Sequence, residues 1–410
     1  MIDEKTISIN SFDGKRFDAF LTVPEAGSGP GIVLVQEIFG VNEGMRAIAR
    51  LFAEEGYVVV VPDLFWRMEP NVELGYDQAG IAKAMSFYEK LDRAAALKDI
   101  EAALAAVRRL PQSTGQAAVV GFCLGGTLAL MAGASLAPDA VVAFYPVAIQ
   151  DMDPGATDVR VPTRILLGDA DPMCPPEVAK QIAGRFAENS NVRIHTYPSA
   201  GHGFFNPDRP EFDHLASELA LTNMLELLRP LIGPHYDLVA LWERHTYFEF
   251  VERDADKTIE TMVERPYVNH VPMMTGGTGR EELRHFYRHY FVNVHSDDYQ
   301  IRSVSRTVGV NRLVDEMIAT FTHDRMMDYF LPGVEPTGRK IMLATLGVVT
   351  FRGPKLRHEH LYYDQASVLV QAGLLDPKHN LAVGVEQTRK VMAPYDVPSN
   401  TMMKTWTPPT

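Results

Sequence analysis

The sequence predicts an α/β protein in two domains, a mostly parallel sheet covered by helices followed by an α+β domain. Three observations carry this expectation. At 410 residues the chain exceeds the ~250–300 that a single core usually serves. Before about residue 230, short β-branched runs alternate with longer helical patterns, as in a parallel sheet with helices on both faces. Beyond that point helices come first and strand-like runs follow, which implies a strongly curved antiparallel sheet.

In the first part, the expected strands are Gly31–Val35, Tyr57–Val61, Ala117–Val120, Ala140–Phe144, Thr163–Leu167 and Val192–Tyr197. Their near-continuous hydrophobicity suits strands buried on both faces. Helical stretches include Gly44–Glu55, Ala94–Arg109 and Pro176–Glu188, and helix Phe212–Leu228 closes the series. The segment Arg229-Pro-Leu-Ile-Gly-Pro-His235 then reads as a linker, with the domains at 1–233 and 234–410. Composition shifts there: both cysteines precede it, and ten of the thirteen histidines fall from His235 onward. Helices are expected at about Tyr236–Glu252, Asp254–Val263 and Arg280–Phe291. Strands are expected at Gln300–Val308, Leu313–Asp324, Arg339–Phe351 and Leu356–Leu369.

Bulk chemistry removes several function classes. A formal charge of −13 repels phosphate backbones and anionic lipid, and Lys and Arg are scattered, so neither nucleic acid nor membrane is an expected partner. No apolar run approaches the ~20 residues of a membrane span. The polar, acidic start lacks the layout of a secretory signal, and two cysteines make no disulfide framework. The chain reads as cytoplasmic. Cys174, followed by two prolines, reads as incidental rather than as a redox partner of Cys123.

The strongest chemical signal is Gly121-Phe-Cys123-Leu-Gly125-Gly126, after the strand Ala117–Val120 and before the helical run Thr127–Ser135. This is the layout of a nucleophile elbow, Gly-x-nucleophile-x-Gly, with cysteine as nucleophile. The turn is tight, and side chains two residues either side of the nucleophile would collide with it or with the neighbouring strand. A cysteine here also sits at a helix N-terminus, where the dipole favours thiolate. The bland alternative is a buried structural cysteine beside a glycine-rich helix start.

Candidate partners follow in the order that such an elbow demands: nucleophile, acid, histidine. Strand Thr163–Leu167 ends in Gly168-Asp-Ala-Asp171-Pro, and strand Val192–Tyr197 leads to Ala200-Gly201-His202-Gly203-Phe204. His202 would take the proton from Cys123, and a carboxylate would hold the ring's tautomer. Asp171 is preferred over Asp169, since loop aspartates often only cap a turn.

These residues, together with Gln36-Glu37-Ile38-Phe39-Gly40-Val41-Asn42 after the first strand, resemble the dienelactone hydrolase (carboxymethylenebutenolidase) family over residues 1–233. The resemblance implies an α/β-hydrolase domain with a Cys–His–Asp triad on Cys123, His202 and Asp171. It implies that Glu37 holds the resting thiol and helps trigger thiolate formation; the alternative for this residue is a helix N-terminal carboxylate stabilising the dipole. It implies an oxyanion hole from the backbone N–H groups of Ile38 and Leu124. The small-molecule substrate would be an ester or lactone, opened through a thioester without metal or organic cofactor.

Three departures from the family pattern bear on the substrate. Family members that act on carboxylated lactones grip that group with two arginines, and an ungapped alignment from Cys123 puts Ile81 and Asn206 there. Neither side chain replaces a bidentate guanidinium, so a neutral or less acidic ester or lactone is expected. Arg67 is a candidate substitute charge. Gly203 stands where a small hydroxyl residue is common.

The second part resembles the SnoaL-like branch of the nuclear transport factor 2-like superfamily. The likeness lies in the helical start, in Val268-Asn-His270-Val-Pro-Met-Met-Thr-Gly-Gly277, in Phe321-Thr-His323 and in Glu359-His360-Leu-Tyr-Tyr-Asp364-Gln365. It implies an α+β cone-shaped barrel with an internal pocket, serving dimerisation, ligand binding, or a cyclase or isomerase step. On a strand, His358, His360, Tyr362 and Asp364 would share one face. An inward His360–Asp364 pair near His270 or His323 could do acid–base work, or could be inert polar lining. The histidine spacing does not suggest a metal site. The favoured reading is a thiol hydrolase, a homodimer or higher homo-oligomer, with an appended domain. The alternatives are a bifunctional enzyme and a thiol sensor without turnover.

Overall fold

The computed structural model describes residues 2–407 except 154, 156 and 157, and divides into two compact units, Met1–His235 and Tyr236–Thr410. The first unit is built on eight strands: β1 (Asp3–Asn10), β2 (Arg16–Val23), β3 (Gly29–Val35), β4 (Val58–Pro62), β5 (Ser113–Phe122), β6 (Val141–Phe144), β7 (Thr163–Gly168) and β8 (Val192–Tyr197). They lie in the order β1-β2-β4-β3-β5-β6-β7-β8. From β4 to β8 all pairings are parallel, and β3 and β4 are buried at every position, as strands covered on both faces must be.

The first two strands were not expected; β1 pairs antiparallel with β2, and β2 pairs antiparallel with β4. β1 is an edge strand with an almost wholly exposed, polar sequence, DEKTISIN, so it carries little hydrophobic signal. The helices are α1 (Glu43–Glu54), α2 (Gln78–Lys90), α3 (Arg93–Arg109), α4 (Leu124–Ser135), α5 (Pro176–Phe186) and α6 (His214–Ile232). Several start on polar caps: Asn42, Asp77, Asp92 and Asp213 each accept a hydrogen bond from an N–H of the first turn. α6 runs through Pro230 to Ile232, so part of the expected linker is helical. Its Arg229 is buried against Glu55, with Nη2 2.7 Å from the carboxylate, which anchors this turn to the domain.

The second unit has its own apolar core around Trp242, Ile259, Phe321 and Phe351. It contains α7 (Leu238–Phe250), α8 (Ala255–Glu260), β9 (Met262–His270), β10 (Thr275–Thr278) and α9 (Arg280–Phe286), which continues as a π-helical turn to Phe291. Then come β11 (Gln300–Val308), β12 (Arg312–Thr322), β13 (Lys340–Arg352), β14 (Lys355–Tyr363), α10 (Gln365–Ala372) and α11 (Glu386–Met392). The sheet order is β10-β9-β14-β13-β12-β11, and one pairing, β14 with β9, is parallel. The expectation of an antiparallel sheet missed this because β9 was not among the expected strands and its first two residues fell in the expected helix Asp254–Val263. The last expected strand also stops early, at Tyr363: Asp364 accepts from the Ala366 N–H at 3.0 Å and caps α10.

Candidate active site

β3 and β5 are neighbours, yet the chain leaves β3 for β4 on one side and reaches β5 on the other. Connections that diverge in this way leave a crevice at the carboxyl ends of the strands, where ligands bind in open α/β sheets. The loop after β3 brings Glu37 and Ile38, the turn after β5 brings Cys123, the loop after β7 brings Asp171, and the loop after β8 brings His202.

Cys123 has φ 56° and ψ −116°, a conformation that L side chains rarely adopt. The flanking glycines are sterically required. A Cβ on Gly121 would meet the Gly125 carbonyl oxygen at 1.9 Å, and one on Gly125 would meet the Val35 carbonyl oxygen at 2.3 Å. The bend places the sulfur at the start of α4, buried but within hydrogen-bond reach of His202.

His202 Nδ1 lies 2.8 Å from Asp171 Oδ2. The other Asp171 oxygen accepts from the Met173 N–H at 2.7 Å, so the carboxylate is fixed on both sides. Asp169 instead accepts from the Ser199 N–H at 2.6 Å and holds a turn. Burial opposes a charge on His202, but the negative sulfur of Cys123 and the hydrogen bonds of Asp171 and Cys123 prevail and push its pKa up to about 10. Cys174 is a different thiol: burial, and then the Asp171 charge, push it up to about 11. Both cysteines are free.

Glu37 is fully buried, and among the described residues its carboxylate is held by Asn206 Nδ2 at 3.0 Å and Arg209 Nη1 at 3.3 Å rather than by the thiol. The role that the resemblance implied for Glu37 toward Cys123 is therefore not its resting contact. Asn206 also donates to the Tyr76 hydroxyl at 2.8 Å, and the Arg209 guanidinium stacks over the Phe39 and Tyr76 rings.

Sequence reasoning missed Arg209, a guanidinium beside Glu37 that neither Ile81 nor Asn206 supplies. The charge comes from three residues beyond Asn206, which an ungapped alignment passes over. Gly203 now has a reason, since a Cβ there would meet Arg209 Nε at 2.5 Å and its φ is +87°. Ile81 is exposed on α2. Arg67 does not supply a site charge; it is tied to Asp13, Asp99 and Ser11. Tyr145, also missed, has its ring 5.1 Å from that of His202, and its buried hydroxyl has no hydrogen-bond partner among the described residues. Leu124 opens α4, so its N–H has no intrahelical acceptor, and Ile38 lies just after β3.

The second unit's candidates do not assemble. His360 lies on the β14 face opposite Glu359, Leu361 and Tyr363, which line the internal cavity. Its rings of contact are Tyr267, His358 and Tyr362, and His358 bonds Thr350 Oγ1 at 2.8 Å. Asp364 is a helix cap, so an inward His360–Asp364 pair is excluded. His323 bonds Thr337 Oγ1 at 3.2 Å. His270 alone of the four lines the cavity, and burial pulls its pKa down to about 4.

The sequence profile of the dienelactone hydrolase family matches residues 17–232. Carboxymethylenebutenolidase 1 of Cupriavidus pinatubonensis is 33% identical over 229 residues, covering 56% of this chain and 97% of that protein. The carboxymethylenebutenolidase of Pseudomonas putida is 34% identical over 226 residues, covering 55% and 96%. Among solved structures, a dienelactone hydrolase-like promiscuous phosphotriesterase from metagenomic libraries matches at 26% identity and a TM-score of 0.48, covering 56% of this chain and 99% of that one.

Proposed function

The chain belongs to the dienelactone hydrolase family and is a carboxylic ester hydrolase, and from that premise we propose that Cys123 is its nucleophile, acting through a thioester. The observation that carries the reading is the relay of Asp171, His202 and Cys123 at the carboxyl edge of the sheet. The thiolate attacks the substrate carbonyl carbon, and the oxyanion is held by the N–H groups of Leu124 and Ile38. Collapse breaks the acyl–oxygen bond, and the leaving oxygen takes the proton from His202. Thioester formation consumes the negative sulfur that kept His202 charged, so the ring becomes a neutral base. It then takes a proton from water, which attacks the thioester and returns the thiol with the free acid. Asp171 keeps the ring oriented throughout.

The substrate is a neutral or weakly acidic ester or lactone. Arg209 reaches the site, but its charge is already met by Glu37 at 3.3 Å and Glu211 at 3.2 Å. A carboxylated substrate would have to win it from a buried partner. The second unit, a SnoaL-like domain in this reading, offers an aromatic cavity for a ligand or a surface for a homodimer, and the protein works in the cytoplasm. The test is kcat/KM on a neutral lactone and on its carboxylated analogue, with Cys123→Ala as control. The expected result is preference for the neutral lactone and a loss of about 1,000-fold or more in the variant. Clear preference for the acid would overturn the substrate; an active variant would overturn the nucleophile.

A further inference from the structure

The second unit holds a side-chain cluster that the hydrolytic chemistry does not use. His245 and Glu249 stand four residues apart on α7, and Glu359 reaches them from β14. All three are buried, with side-chain exposures of 0%, 4% and 3%. His245 Nε2 lies 3.2 Å from Glu249 Oε1 and 3.0 Å from Glu359 Oε1. On the ring's other edge, Nδ1 is 2.6 Å from the Thr261 hydroxyl, which itself lies 2.6 Å from the Thr258 carbonyl. That hydroxyl spends its one proton on the carbonyl and so accepts from Nδ1–H. Nε2 is left facing two carboxylates.

With both glutamates ionised the cluster carries a net negative charge, which either a bound cation or an extra shared proton must meet. Two carboxylates and a neutral imidazole carry −2, and an imidazolium leaves −1, in surroundings that cannot sustain either. The adjoining cavity is lined by groups such as Trp242, Phe250, Tyr299 and Phe330, with no Lys or Arg among the described residues. Glu359 Oε1 is buried, and His245 Nε2 is the polar atom that faces it, at 3.0 Å.

We propose that His245, Glu249 and Glu359 form a binding site for a divalent first-row transition-metal ion at the wall of this aromatic cavity. One dication would neutralise both carboxylates with the ring neutral. The three donor atoms lie within 4.8 Å of one another. Neighbouring ligands at right angles on a six-coordinate ion with bonds of ~2.1 Å stand ~3.0 Å apart, and the ring nitrogen lies 3.2 Å and 3.0 Å from the two oxygens. Two ligands at i and i+4 on one helix face, with a third from another element, converge on a single point. Thr261 fixes the tautomer that leaves Nε2 free to coordinate, as an orienting partner of a metal-bound histidine does. Glu249 and Glu359 line the cavity and His245 lies behind them, so the ion's open positions would face the aromatic space. The ligand that fits is a largely apolar molecule with one carbonyl or phenolic oxygen directed at the ion.

The test uses the full chain, stripped with a chelator and titrated with Mn²⁺ followed by electron paramagnetic resonance, and with Co²⁺ followed by tryptophan fluorescence. Trp242 stacks on His245 with ring centroids 5.8 Å apart, so a bound paramagnetic ion quenches it. One ion per chain is expected, bound equally by Cys123→Ala, weakened about 100-fold in Glu359→Gln and about 10-fold in Thr261→Val. Absence of stoichiometric binding to the unsubstituted chain would overturn the proposal and assign the cluster to shared protons; this outcome does not depend on any variant folding. Equal binding by Glu359→Gln would also overturn it, by placing the ion elsewhere.

Discussion

His202 is held in its protonated form by its neighbours, and the consequence for stability is measurable. An imidazole ordinarily titrates near 6.5, and in the folded chain His202 is pushed up to about 10. A group raised on folding stabilises the native state fully below its unfolded value and loses that contribution as the pH climbs through the folded one. Denaturant titrations between pH 6 and 10 are therefore expected to show stability falling across this window. The fall should be smaller in Cys123→Ala, which removes the sulfur that raises His202; equal slopes would contradict the pairing. Asp171→Asn keeps the shape but unsettles the tautomer, and kcat is expected to drop by about 1,000-fold or more with the fold intact, measured on a chromogenic ester. Arg209→Ala leaves Glu37 with Asn206 as its remaining hydrogen-bond partner. A buried carboxylate stripped of its cation is strongly unfavourable, so activity should fall together with a loss of about 3 kcal/mol in stability, read by chemical denaturation.

At the scale of elements, the elbow and the caps separate what a sequence shows from what it hides. Gly121, Cys123 and Gly125 were legible because a sterically forced turn writes itself in glycine at fixed spacing, and the carbonyl oxygens of Gly125 and Val35 do occupy the space a Cβ would need. Gly125→Ala is expected to cost about 3 kcal/mol and most of the activity, checked by thermal unfolding and ester hydrolysis. The strands from β3 to β7 were legible because burial on both faces makes their central residues continuously apolar, whereas β8, at the other edge, is largely half-buried or exposed. β1 was not, since an exposed edge strand shows no such run. Arg209 was not, because a loop side chain reaches its partner through space, and a shift of three residues in a loop hides it from a fixed spacing. Asp364 reads equally as the end of a strand or as a helix cap, and only the turn that follows decides. Asp364→Ala should accordingly cost about 1 kcal/mol in the second unit's stability and leave hydrolysis unchanged.

At the scale of the molecule, two separate apolar cores divide the labour: the triad and its supporting residues all fall within residues 1–235, and the aromatic cavity within the rest. Residues 1–235 produced alone are therefore expected to fold and to hydrolyse a neutral ester with kcat/KM within about tenfold of the full chain. No helix among the described residues is long and apolar enough to cross a membrane. The proposed hydrolysis depends on a covalent bond to one sulfur. Mass spectrometry of the protein quenched during turnover of a slow ester should find one acyl group, on the peptide carrying Cys123, and none in Cys123→Ala. An acyl group on another side chain, or steady turnover with Cys123 never modified, would contradict it.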